Sequence, residues 1–115
     1  MATDGYAESN VEPIRVNGGD HLETIIDKYD VVLVDFYADW CGPCKMLEPV
    51  LEDLARETDG VIAKVDVDNH QQLAAAFGVR GVPTLVLFSN GEQVEQHTGV
   101  LPANRLRDLI ENCTA

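Results

Sequence analysis

Only three of the 115 residues are cysteines, one is tryptophan and three are lysines. Each shortage excludes something. Three cysteines is an odd number and too few for a disulfide scaffold. Eight basic residues stand against 20 acids, for a net charge of −12. Phosphate contacts need clustered Lys and Arg, and there is no basic stripe, so no nucleic-acid partner is expected. Anionic membrane surfaces would repel the chain as well. The N-terminus, MATDGYAESN, has neither the basic start nor the apolar stretch of an export signal. The longest aliphatic run, Val31-Val32-Leu33-Val34, is far too short to span a bilayer. No GxGxxG stretch is present, so no flavin or nicotinamide site is expected. Together these features predict a cytoplasmic protein without cofactor or membrane partner.

What is present is acid. Two readings account for it. Either it is a solvated surface that aids solubility, or it is adaptation to a salt-rich cytoplasm, where ions screen charges that otherwise repel one another.

At 45% hydrophobic, the chain has enough apolar surface for one core. We expect residues 1–10 to be a flexible acidic tail and residues 11–115 a single domain, monomeric. Residues 11–16 form a short edge strand, where Pro13 is tolerated. Asp20-His21-Leu22-Glu23 reads as a capping box that opens a helix. Residues 31–37 are a strand apolar on both faces, as in a covered parallel sheet. A helix follows over 42–57, with Met46, Leu47, Val50, Leu51 and Leu54 at helical spacing and a kink expected at Pro49. A second buried strand covers 61–67. Residues 69–77 form a helix that ends at Gly78. Strands over 83–88 and 92–98 flank a tight Asn90-Gly91 turn. Pro102 opens a last helix whose inner stripe is Leu106, Leu109, Ile110 and Cys113, the cysteine acting as a buried small hydrophobe. The order β-α-β-α-β-α-β-β-α predicts an α/β fold, a central mixed sheet with helices on both faces.

Cys41-Gly42-Pro43-Cys44 falls where a strand passes into a helix. Residues three apart share a helix face, so a disulfide can close across the first turn. Unpaired N–H groups and the helix dipole favour a thiolate there. Cys41 is therefore expected to be the acidic, attacking sulfur and Cys44, one turn deeper, the resolving thiol. Pro43 suits a first-turn position, and Trp40 offers apolar shielding. A zinc site needs four ligands, and His21, His70 and His97 are scattered. No metal is therefore expected. Asp35 lies in a strand that reads as buried, which would raise its carboxyl pKa. The alternative is a carboxylate at a strand end that reaches water.

Trp40-Cys41-Gly42-Pro43-Cys44-Lys45, with Val34-Asp35-Phe36 upstream and Gly81-Val82-Pro83-Thr84 and Thr98-Gly99 downstream, resembles the thioredoxin family over roughly residues 11–113. The resemblance implies the thioredoxin fold and reduction of disulfides in client proteins through the Cys41/Cys44 pair, with electrons from a separate thioredoxin reductase. It implies that Asp35 takes the proton of Cys44, that Lys64 sits near Asp35, and that Pro83 is cis. It further implies that Trp40, Gly42, Gly81, Val82, Pro83, Thr98 and Gly99 form the docking surface for an extended client segment. Tyr37 departs from the family, many of whose members carry tryptophan there. A binding module without turnover and a redox sensor remain as alternatives.

Overall fold

The computed structural model describes residues 11–114. The acidic tail expected over 1–10 lies outside the described residues. The elements are β1 (Ile14–Arg15), α1 (Gly19–Lys28), β2 (Val31–Tyr37), α2 (Gly42–Glu57), β3 (Val61–Asp66), α3 (Gln71–Ala76), β4 (Thr84–Ser89), β5 (Glu92–Thr98) and α4 (Ala103–Thr114). The five strands form one sheet in the order β1-β3-β2-β4-β5. β1 and β2 both run parallel to β3, while β4 runs antiparallel to β2 and to β5. This is the mixed sheet expected from the alternation of elements, with β2 at its centre.

Alternation along β2 builds two cores, because successive side chains of a strand point to opposite faces. Val32, Val34 and Phe36 join Leu22 and Ile25 of α1 and Ala74 of α3. Val31 and Leu33 join Leu47, Leu51 and Leu54 of α2 and Leu106 and Ile110 of α4. Each fully buried Leu, Ile or Phe contributes roughly 1.5–3 kcal/mol. The central strand therefore has no polar face to spare, which is why it reads as a continuous apolar run. Asp35 keeps the parity of Val31 and Leu33, so the sheet turns it under α2.

Four expectations need correction. There is no capping box: α1 is capped by Gly18, with no side-chain cap hydrogen bond, and Asp20 lies in the first turn. The His21 ring instead accepts from the Asn17 N–H at 2.9 Å. α3 begins later than expected, because the Asp66 carboxylate accepts from the Asp68 N–H and from the Asn69 amide. That local turn offers the backbone an alternative to helix. Met46 is not on the buried face of α2; it is 77% exposed. Cys113 is half-buried, packed at the margin of the α2/α4 core.

Other expectations hold. β1 is a short edge strand. Asn90 and Gly91 both take positive φ (51° and 85°), as a tight hairpin turn requires. Pro49, by contrast, does not interrupt α2: it lies on the exposed side, and the helix runs through it to Glu57 with no break where the kink was expected. α4 starts one residue after Pro102, whose carbonyl accepts from the Arg105 and Leu106 N–H groups. No helix among the described residues is long and apolar enough to cross a membrane.

Candidate active site

β2 ends at Tyr37, and the chain turns through Ala38, Asp39 and Trp40 into α2. The Cys41 N–H donates to the Ala38 carbonyl, which closes this turn. Cys41 is the N-cap of α2, Gly42 its first residue and Pro43 its second. Pro43 thus sits where its missing N–H leaves no carbonyl unpaired. Cys41 and Cys44 are joined by a disulfide, their Cα atoms 5.3 Å apart. The Cys44 N–H donates to the Cys41 sulfur at 3.2 Å. This sulfur therefore occupies the place that a capping oxygen takes in an ordinary helix, and receives the positive end of the helix dipole. In the disulfide form both cysteines are covered, Cys41 at 4% exposure and Cys44 at 2%. The greater exposure expected of Cys41 is thus hardly expressed here. Gly42 and Pro43, between the two cysteines, are exposed.

Tyr37, Ala38, Cys41 and Cys44 pack as one cluster, with Val67 and Val82 against it. The Val82–Pro83 peptide bond is cis, as the resemblance implied. Around it, the Gly99 N–H donates to the Pro83 carbonyl at 2.8 Å. The Thr84 hydroxyl donates to the Gly81 carbonyl at 2.7 Å and lies 3.4 Å from the Thr98 hydroxyl. Gly81, Pro83, Thr98 and Gly99 are therefore brought together, and Val82 links them to the disulfide cluster. Trp40 does not cover the pair by burial. It is 71% exposed, and its indole N–H donates to the Asp68 carboxylate at 3.0 Å.

Asp35 is fully buried, and neither carboxyl oxygen has a hydrogen-bond partner. The solvent-reaching alternative is excluded. Burial disfavours the charged form and lifts its pKa to about 7; Lys64 opposes this rise and Glu48 adds to it. Lys64 is the register neighbour of Asp35 on β3. Its ammonium, however, donates to the Glu48 carboxylate at 3.2 Å and stands 4.4 Å from the centre of the Tyr37 ring. Sequence reasoning missed Glu48 and Asp68. Glu48 lies four residues after Cys44 and so shares its helix face, a spacing that could have exposed it. Nothing local marks Asp68 as the partner of Trp40. Among the described residues no three His, Cys, Asp or Glu side chains are grouped as a metal requires.

A dithiol that closes into a disulfide at a helix start, in a fold that also buries an unpaired carboxyl, is equipped to exchange two electrons and a proton. Comparison with known proteins agrees. The thioredoxin family model matches residues 12–112. A thioredoxin from Haemophilus influenzae is 43% identical over 101 residues, covering 86% of this chain and 94% of that protein. One from Staphylococcus saprophyticus is 51% identical over 83 residues, covering 70% and 80%. The solved structure of a mutant thioredoxin from Halobacterium salinarum superposes with a TM-score of 0.90 at 58% identity, covering 93% of this chain and 95% of that one. The chain belongs to the thioredoxin family, whose members are protein-disulfide oxidoreductases.

Proposed function

We propose that this chain reduces disulfides of client proteins in a salt-rich cytoplasm, with each residue of the site in a defined role. Cys41, as thiolate, attacks one sulfur of a client disulfide. A Cys41–client bond forms, and the other client sulfur leaves as a thiolate. Cys44 then gives its proton to Asp35 and attacks the Cys41 sulfur. The Cys41–Cys44 bond forms, the client's second sulfur leaves, and the client has gained two electrons. A separate reductase returns two electrons to the pair. Lys64 modulates the charge of Asp35, and Pro43 stiffens the turn. Val82, Gly81, Pro83, Thr98 and Gly99, with Trp40 and Gly42, offer an extended client segment a docking edge.

The observation that carries this reading is the position of the disulfide across the first turn of α2, on the sheet face that also buries an unpartnered Asp35. An isolated carboxylate in such a place is costly, by several kcal/mol in order of magnitude. A group kept there is therefore poised to hold a proton near neutral pH. The trapping experiment with Cys44→Ser tests it, because the first exchange step would proceed and the second could not. The salt-rich setting is supported by the net charge of −12. We read residues 11–115 as one domain acting as a monomer, without metal or organic cofactor.

A further inference from the structure

Asp35 and Lys64 are neighbours in register on parallel strands, and both side chains face α2. An ammonium so placed would be expected to pair with a buried carboxylate. It does not. Its hydrogen bond goes outward to Glu48, and Asp35 is left with no partner. The Lys64 side chain is 13% exposed and that of Glu48 46%. The pair thus sits at the margin between core and water. A crevice of about 160 Å³, whose walls include Arg15, Glu48, Glu52 and Lys64, brings solvent to this margin.

We propose that Glu48 is a positioning residue of the resolving step: by holding the Lys64 ammonium outward, it keeps that cation from neutralising Asp35 and leaves the buried carboxyl free to take up a proton. This rests on the reading of Asp35 as the proton acceptor of Cys44. Of the charged groups around Asp35, Lys64 and Glu48 act on it and Glu48 is the one that bonds the Lys64 ammonium, while Glu12 and Glu52 line the same crevice. From β2 itself comes Tyr37, whose ring shares Lys64. From α2 come Cys44 and, one turn on, Glu48. From β3 comes Lys64, with Arg15 one strand further out in register with it. β4 contributes Leu85 opposite Asp35, and α4 turns Leu106 and Ile110 to this face; neither adds an ionisable side chain to it. With Glu48 gone, the ammonium is free to swing to Asp35 and favour its charged form. Lys64 could do so without rearranging the sheet, because only its flexible stem must turn.

The test is a double-mutant cycle read by the carboxyl ¹³C shift of Asp35 in the full chain. Glu48→Ala is expected to lower the titration midpoint of Asp35 by about one unit. In a Lys64→Met background the same replacement is expected to move it by less than half as much, since the cation that Glu48 restrains is absent. Glu48→Gln, which keeps the side chain's size and loses its charge, provides a second variant. An unmoved midpoint, or an equal shift in both backgrounds, overturns the proposal. The pH profile for resolution of a mixed disulfide between Cys41 and a small thiol is read alongside. If the midpoint moves as expected while that profile stays fixed, the proton-acceptor reading of Asp35 fails and the hold of Glu48 on Lys64 stands.

Discussion

Asp35 and Lys64 lie side by side in the centre of the sheet, yet the lysine bonds Glu48 and the aspartate bonds nothing. A structure selected only for stability would have paired them or replaced them with apolar residues. The arrangement keeps a carboxyl near neutrality at the expense of stability, and that cost depends on pH.

Asp35→Asn should therefore stabilise the protein above pH 7 and change little near pH 4. The folded carboxyl titrates at about 7, above its ordinary value of 3.8. Between those values the folded state holds a proton that the unfolded state releases, so stability is greatest below the lower value and declines as pH rises through the upper one. The full difference, about three units, corresponds to at most ~4 kcal/mol. Urea unfolding of both proteins at pH 4, 6 and 8 measures it. Equal stabilities at pH 8 would exclude the raised titration.

Cys44→Ser should accumulate mixed disulfides through Cys41 when exposed to oxidised client proteins. Cys113→Ser should leave trapping unchanged, because Cys113 sits on α4 at the margin of the α2/α4 core, outside the cluster that surrounds the disulfide. Mass spectrometry of the adducts decides this. Equal trapping through Cys113 would contradict the assignment of roles.

Gly60→Ala should destabilise the fold by roughly 1–3 kcal/mol, as overpacking does. A Cβ at that position would stand 2.6 Å from the γ2 methyl of Ile110, a side chain with no exposed surface. Thermal unfolding of the variant measures the loss, and an unchanged midpoint would show that α4 yields without cost.

The melting temperature should climb steeply with KCl up to molar concentrations. With a net charge of −12, self-repulsion is strong at low salt and is screened as ions are added. A flat profile would leave the acidity as an ordinary soluble surface.

Much of this was legible in the sequence, for physical reasons that differ by element. β2 and α2 could be read almost to the residue, since one is a continuous apolar run and the other repeats at helical spacing with a proline in its first turn. The hairpin turn at Asn90-Gly91 announced itself through residues that tolerate positive φ. The start of α3 did not, because the turn built by the Asp66 carboxylate competes with helix over the same polar residues. Met46 misled because it fits the helical spacing but lies at the edge of the apolar stripe, one residue before Leu47. Within the site, the cysteine pair and the buried aspartate were visible as local pattern. The Lys64–Glu48 pair was not, because it joins β3 to α2 across 16 positions and depends on which way a flexible lysine turns.

The proposed chemistry requires that the start of α2 make Cys41 the reactive sulfur. The most direct measurement is alkylation of the reduced protein at mildly acidic pH, followed by peptide mapping of the modified cysteine. Cys41 is expected to be labelled first, well ahead of Cys44 and Cys113 and faster than an unperturbed thiol. Labelling of Cys44 before Cys41, or of neither faster than a free thiol, would contradict it.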